Sequence, residues 1–485
     1  MPSLAEHLRA RSQLLPLLHE AHEREGFLSA GLVARIAAHL RLPAAEAWEF
    51  ATSFPDFRLE PPTGAQPVCT GLSCALNGAA VEEGGAPVGC RFRCYGAPAT
   101  GDDIPFPEEM MRLHGPLLAP DDHDMAGLEH ARRLGRDESL ALLEASGLRG
   151  RGGAYFPTAR KWSGALAQGR PLALVVNAEE GEPGVFKDRA ILCCRPSRFI
   201  EGLAIAEEVL RPEEVIVFIN GEAPTARASL EASLLAFAGA LKVTPRIVAG
   251  GGGYVLGEET ALLNAIEGRK PTPRLRPPYP VEAGLWGMPT VINNVETITN
   301  LSLIFRQGAN AFRARGTAEA PGTKLLSVSG RIKRPGLYEI ALGSSLAAVL
   351  EAAGGPTTGE ITAVLAGGPS GGFLAPDEFA RPLLPGLIHP TGAVTGSGGM
   401  VVLDSSSDIR SAVLAMADFN ARESCGKCTP CREGGHRVRD MLTEGRREGL
   451  DDLLDVMQFA SICGLGQMAP GPIRSARHFW PELFP

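Results

Sequence analysis

No segment of the 485-residue chain is apolar for the roughly 18 consecutive residues that crossing a bilayer demands. The N-terminus, MPSLAEHLRARSQ, has no apolar core of signal-peptide length. Both absences point to the cytoplasm, with attachment to an inner membrane only through partner subunits. Positive charge is not in excess either. The net charge is −8 and the pI about 5.8, which argues against nucleic acid as the main partner. There is no long internal repeat and no low-complexity tract. What remains is a chain with 44% apolar residues, enough to build cores and too long for one of them, so three or four domains are expected.

Cysteine is the most informative residue type. Thiols of a cytoplasmic protein stay reduced, so its ten cysteines read as metal ligands or reactive groups rather than disulfides. Cys425, Cys428 and Cys431 lie in ESCGKCTPCREGG, and Cys463 follows in SICGLG after a helical stretch. Three close thiolates plus one remote suit a 4Fe–4S cluster, in which each iron needs one ligand. A four-cysteine zinc site more often uses two separated pairs. Cys69 and Cys74 (CTGLSC) and Cys90 and Cys94 (CRFRC) do form two pairs. One pair for each iron of a 2Fe–2S cluster fits, zinc fits equally, and spacing does not decide. Cys193 and Cys194 are adjacent, and on a helix they point apart, so they read as core residues.

Residues 3–52 carry leucines at helical spacing, and Pro43 stands where a helix can begin. From Pro55 to about Gly101 the texture turns to Gly, Pro and Cys, as in a loop-rich unit. Residues 100–140 read as a connector that becomes helical near Asp137–Ala145. LALVVNA (172–178) and EVIVFIN (214–220) are β-branched apolar runs, the pattern of buried parallel strands, with helices near Ile200–Leu210 and Pro224–Phe237. Residues 269–290 are dense in Pro and Gly and read as an ordered surface loop. Three runs within 324–368 read as strands of a small mixed domain. The tail from about Ser406 is helical.

Four segments can face a ligand. GLRGRGGAYFPTARKW (147–162) has small residues that admit a phosphate or flat ring, with Lys161 adding charge. NAEEGEPGVFKDR (177–189) follows a strand directly, where α/β ligands bind. GGGGYVLGEETALLNAIEG (250–268) places Glu258 and Glu259 at a helix start, which the helix dipole alone would favour. TVINNVET (290–297) sets Asn293 and Asn294 side by side, able to donate and accept as a flavin edge requires, or simply to make a turn.

Taken together these segments resemble the NADH-binding flavoprotein subunit of respiratory complex I and its counterparts in NAD-linked hydrogenases and formate dehydrogenases. The run RKPTPRLRPPYPVEAGLWGMPTVINNVET (269–297) and the final cysteine motif are the most specific parts. The N-terminal part resembles the companion 2Fe–2S subunit of those complexes, shortened and fused in front. The resemblance implies a multidomain α/β protein. Its units are an N-terminal helical segment (1–58), a reduced thioredoxin-like 2Fe–2S domain (59–104), an FMN/NADH-binding α/β domain (105–310), a ubiquitin-like SLBB-type domain (318–402) and a helical 4Fe–4S domain (403–485). It implies that Gly150, Gly152, Lys161, Asn177, Glu179, Tyr254, Gly257, Glu258, Asn293 and Asn294 surround FMN. Gly153, Phe156, Glu180, Glu182, Glu259, Arg276 and Tyr279 would surround the nucleotide, with Glu180 and Glu182 on the nicotinamide side and Phe156 and Tyr279 offering ring faces. The implied activity is NADH dehydrogenase: hydride exchange between NAD(H) and FMN, then single electrons through the clusters to a partner subunit.

The chain departs from that family in four ways. The stretch between Cys74 and Cys90 is short, as is that between Cys431 and Cys463. Glu179 and Arg276 stand for the usual Asp and Lys. Tyr155 and Ala159 replace glycines. A tyrosine where the backbone needs positive φ is strained, and its ring is expected to reshape the nucleotide pocket. A catalytically silent scaffold whose pocket Tyr155 has closed is the competing expectation.

Overall fold

The computed structural model describes residues 4–81, 85–101, 103–120 and 124–484. Residues 1–3, at the head of the expected helical segment, lie outside the described residues. Helices Leu14–Glu25, Ala30–Leu40 and Ala44–Ala51 follow one another with short turns, and Pro43 is the residue before the third. Then come two short strands, β1 (Gln66–Cys69) and β2 (Gly85–Val88), paired in parallel around the helix Leu72–Leu76. A third, β3 (Met111–Leu113), joins a sheet formed far along the chain.

The centre of the molecule is a parallel sheet of β4 (Ala173–Ala178), β5 (Glu214–Ile219), β6 (Arg246–Ala249) and β7 (Thr290–Asn294), in the order β6-β5-β4-β7. Its strands read as unbroken apolar runs because both faces are covered. Leu174, Val176, Val215, Val217 and Val291 point into the core with helices Ala126–Ser146, Pro196–Leu210 and Val295–Arg313. The alternate residues Ala173, Val175, Ile216, Phe218 and Ile292 pack with Leu14, Leu18, Leu32 and Phe50 of the N-terminal helices and with Phe54 just after them. The N-terminal helical segment is therefore a layer of the central α/β unit. The chain runs from β4 outward through β5 to β6 and returns to the other side of β4 as β7. This reversal opens a crevice beyond the carboxyl ends of β4 and β7, the place where α/β sheets take ligands.

The second sheet is mixed, with β8 (Thr323–Gly330), β9 (Gly336–Ala341), β10 (Ile361–Ala366), β11 (Gly372–Leu374) and β12 (Gly399–Asp404) in the order β11-β10-β12-β8-β9-β3. One face packs on its own helix Leu346–Ala352. The other, through Ala363, Leu365, Val401 and Leu403, packs on helices Ile409–Arg422, Thr429–Glu444, Leu450–Ala460 and Gly471–Phe479. Among the described residues no helix is long and apolar enough to cross a membrane.

Three expectations change. The helix expected near Asp137 begins at Ala126 and bends at Gly135, whose φ of 72° interrupts the pattern. The 269–290 loop contains two single turns, Pro280–Ala283 and Leu285–Gly287. Asn293 and Asn294 do not form a turn: they end β7, and Asn294 caps the next helix.

Candidate functional site

A cavity of ≈ 800 Å³ opens at the crevice beyond β4 and β7. Its size lies in the upper part of the range for small-ligand sites. The first wall is the loop 150–156. Gly150 and Gly152 line it, and a Cβ on Gly152 would stand 3.0 Å from that of Asn294, so only glycine lets the loop lie this close. Phe156 is 46% exposed at the cavity, with the Arg160 guanidinium 5.8 Å from its ring centre. Lys161 donates to the Ile292 carbonyl at 2.9 Å and stands 3.5 Å from Glu259.

Strand ends make the second wall. Asn177 donates to the Gly257 carbonyl at 3.0 Å. Asn293 and Asn294 project to opposite sides of β7. Asn293 accepts from the buried Trp162 indole at 2.9 Å, while Asn294 donates to Asp188 at 2.6 Å and accepts from Lys187 at 3.0 Å. Both residues still line the cavity. The third wall is the start of helix Glu259–Ile266. Glu258 caps it through the Thr260 and Ala261 amides, and Arg276 reaches Glu258 at 2.6 Å and Glu259 at 3.0 Å. Tyr279 is 51% exposed beside them. The fourth wall is Ile462, Cys463, Gly464 and Gln467. Glycines without side chains, two half-exposed ring faces and a rim of amides and charge fit a flat heteroaromatic ring and a nucleotide.

Five expected site residues do not lie on the cavity wall. Gly153 (φ 116°) faces the backbone of Gly396 and Ser397. Glu179 is buried, accepting from Asn220 at 2.8 Å through one oxygen and leaving Oε2 without a partner. Glu180 accepts from the amides of Asp188 (2.7 Å) and Arg189 (3.1 Å), at the start of helix Lys187–Cys194. Glu182 accepts from Ser397 at 2.8 Å and leaves Oε1 unpartnered. Burial pushes the carboxyls of Glu180 and Glu182 up to about 7. Tyr254 shares a 2.6 Å hydrogen bond with Ser370, and its backbone N–H donates to Glu423 at 2.8 Å.

Tyr155 does take a left-handed backbone, with φ 52°. Its side chain is folded into the protein, with the hydroxyl buried and without a hydrogen-bond partner, and the cavity stays open past it. Behind Asn294 lies a buried ion network that the sequence does not signal. Lys324 donates to Glu296 at 2.5 Å, Lys187 stands 3.5 Å from Glu296, and Lys187 donates to Asp188 at 2.6 Å. Burial brings Lys324 down to about 8. No spacing marks this network, because a lysine in a strand ordinarily belongs to a solvated face.

Cys425, Cys428, Cys431 and Cys463 surround a small second cavity together with Val255, Pro273 and Lys427. Burial pushes the Cys425 and Cys463 thiols up, and that of Cys431 up to about 11. Cys425 and Cys428 come from the loop before the helix Thr429–Glu444, Cys431 from the first turn of that helix, and Cys463 from the residue that precedes the short helix Gly464–Met468. Cys463, with Ile462 and Pro273, lines both cavities. Cys69, Cys74, Cys90 and Cys94 also gather in one place. A Cβ on Gly71 would lie 3.1 Å from the Cys90 sulfur and 3.4 Å from that of Cys69. The neighbouring Cys74 and Cys90 thiols pull the Cys69 pKa down, and the Ala99 N–H donates to the Cys74 sulfur at 3.3 Å. Cys193 and Cys194 belong to neither group and pack at the edge of the central core.

Models of four families match the chain: the Nuo51 FMN-binding domain over residues 143–303, the NADH-ubiquinone oxidoreductase-F iron-sulfur binding region over 411–484, the thioredoxin-like [2Fe-2S] ferredoxin over 2–82 and the SLBB domain over 325–374. The third ends before Cys90 and Cys94. The F subunit of NADH-quinone oxidoreductase of Aquifex aeolicus is 38% identical over 378 residues, 73% of this chain and 87% of that protein. The NADP-reducing hydrogenase subunit HndC of Solidesulfovibrio fructosivorans is 38% identical over 360 residues, 70% of this chain and 73% of that one. A chain of the NAD+-reducing [NiFe]-hydrogenase in its H2-reduced state superposes with a TM-score of 0.87 at 32% identity, covering 98% of this chain and 92% of that one.

Proposed function

The chain belongs to the family of the NADH-quinone oxidoreductase F subunits, and from that premise we propose that it is the NADH dehydrogenase subunit of a multisubunit redox complex, carrying FMN, a 4Fe–4S cluster and a 2Fe–2S cluster. It exchanges hydride with NAD(H) and passes single electrons to or from a partner subunit. One observation carries this reading: Cys463 is at once a wall of the large cavity and one of the four thiols of the small one. A redox ring bound in the first would therefore be separated by little more than Cys463 from a metal group held by the second. The flavin, when bound, supplies the exchange between paired and single electrons.

The residues divide that work. Gly150, Gly152, Gly257, Lys161, Asn177, Asn293 and Asn294 would hold FMN, with Glu258 fixed by its helix and Arg276. Phe156 and Tyr279 offer faces to the nucleotide rings, and Glu259 and Arg276 stand beside them. Gly153, Glu179 and Tyr254 act from behind the wall, through the loops they brace. Glu182, with one buried oxygen unpartnered, and Glu180, which orders the loop through the 188 and 189 amides, also stand behind the wall and would act on the nicotinamide side through the loop they brace. Desolvation by the closed core keeps both acids ready to hold a proton near neutrality.

The domain limits 1–58, 59–104, 105–310, 318–402 and 403–485 remain the proposed division, with a ubiquitin-like fold for the mixed sheet and its helix, a helical bundle for the 4Fe–4S unit and a cytoplasmic location. The open cavity beside Tyr155 supports a working enzyme over a silent scaffold. Protein purified without air should be brown, with flavin absorbance that NADH bleaches and with iron and sulfide sufficient for both clusters. Colourless protein, or flavin indifferent to NADH, would sink the reading.

A further inference from the structure

Lys427 lies between Cys425 and Cys428, yet its ammonium leaves that loop and donates to the Pro273 carbonyl at 2.5 Å. Pro273 belongs to the walls of both cavities. The loop it begins is otherwise held from below. Arg274 reaches Asn264 at 2.9 Å and the Gly284 carbonyl at 3.0 Å, and Arg276 reaches Glu258. On the other side of Cys425, Glu423 accepts the Tyr254 N–H at 2.8 Å. The thiol loop is thus tied at two points, to the glycine loop through Glu423 and to the nucleotide loop through Lys427. An exposed lysine gives up side-chain freedom when held in one place. A short charge-assisted bond to one carbonyl offsets that loss.

We propose that Lys427 is a positioning residue that couples the nucleotide cavity to the four-thiol site. By holding Pro273 it fixes the wall against which the nucleotide binds, and its charge favours the more negative, reduced state of an iron–sulfur cluster on these thiols. Coupling of this kind is reciprocal, so nucleotide binding and cluster charge bias one another. The inference rests on the assignment of the two cavities made above.

The test is a redox titration of the 4Fe–4S signal by electron paramagnetic resonance, on FMN- and iron-loaded protein, with and without saturating ADP-ribose, a redox-inert piece of the nucleotide. In the wild type ADP-ribose shifts the midpoint potential. In Lys427→Met that shift is lost, the potential is lower, and ADP-ribose binds about fivefold more weakly, the lower end of ordinary coupling. Lys427→Arg recovers all three. No shift in the wild type, or an equal shift in Lys427→Met, overturns the proposal. Should Lys427→Met lose its iron, calorimetry on iron-free variant and iron-free wild type decides: weaker ADP-ribose binding supports the coupling and equal binding overturns it. Wild-type protein without flavin or iron would instead sink the assignment on which the inference stands.

Discussion

Cys425, Cys428, Cys431 and Cys463 are set among helices that own an apolar cluster, including Val413, Met416, Val438, Met441, Leu454 and Met457. Cys69, Cys74, Cys90 and Cys94 are set among two four-residue strands and a five-residue helix. The apolar cluster beneath them is Cys69, Cys74 and Ala99, with Ala79, Cys90 and Ala97 at its edge. Much of that small core is the ligands themselves. It is docked on the second sheet by a 2.9 Å bond between Ser73 and Ser329 and by Asn77 to the Gly330 carbonyl. One site is therefore a scaffold that receives a cluster, and the other a segment for which a cluster supplies much of the core. In small metal sites binding energy is folding energy.

Removing the iron breaks or sustains this contrast with the largest effect. Structural metal supplies on the order of 10 kcal/mol in small domains. Stripped protein should lose amide-exchange protection over residues 65–101 and keep it over helices Ile409–Arg422 and Thr429–Glu444. Equal loss at both places would end the comparison. The next effect is functional. Cys463→Ser should slow electron delivery from NADH to the partner subunit about a hundredfold, while Cys69→Ser changes it by less than about threefold. Rapid-freeze spectroscopy of the assembled complex reads both, and NADH should still bleach the flavin in each. If Cys69→Ser proved the more damaging, the N-terminal site would be the main path.

Legibility in the sequence follows the same physics. Thiol spacing is local, so both cysteine groups could be read directly. β4 and β5 were legible because a strand buried on both faces is apolar throughout. β6 and β7 were not: one is four residues long, and the other ends in two asparagines. Nothing local distinguishes the N-terminal helices as a layer of the central sheet, since Leu14 and Phe54 meet Val175 and Phe218 only in the folded chain. The glycine loops and Asn177, Asn293 and Asn294 announced the cavity. That Glu180 turns to the amides of residues 188 and 189, or that Lys324, Glu296 and Lys187 form a buried network, depends on chain reversals that no spacing records. The strain at Tyr155 was legible, because a glycine position occupied by tyrosine fixes the backbone problem in advance.

Asp56 and Glu423, far apart along the chain, also meet one glycine loop. The Asp56 N–H donates to the Gly251 carbonyl from the N-terminal side, and Glu423 takes the Tyr254 N–H from the C-terminal side. Burial, then the charges of Glu222 and Glu423, push Asp56 up to about 7, with Arg91 pulling the other way, and its Oδ2 has no partner. Glu179 faces it and is raised as well. The folded state therefore holds the Asp56 proton more tightly than the unfolded chain does. The cost is absent below about pH 4, grows as pH rises between about 4 and 7, and is constant above. Asp56→Asn should raise stability by about 4 kcal/mol at pH 8 and leave it nearly unchanged at pH 4. Melting temperatures across that range check the sign, and a gain independent of pH would refute this account of Asp56.

The smallest effect tests how stiff each thiol scaffold is. Gly466 and Gly71 both press against ligands. A Cβ on Gly466 would collide with the Ser461 hydroxyl and stand 2.9 Å from the Cys431 Cβ, inside packed helices. The three atoms nearest to one on Gly71 would be cysteine side-chain atoms, at 3.1 to 3.4 Å, in a segment with little packing of its own. Overpacking costs most where neighbours cannot move, so Gly466→Ala should cost about 1–3 kcal/mol and Gly71→Ala under about 1 kcal/mol. Chemical denaturation of iron-loaded protein measures both. A larger loss at Gly71 would mean that the N-terminal site, once loaded, is the stiffer of the two, and that its cluster rather than its short strands sets the packing there.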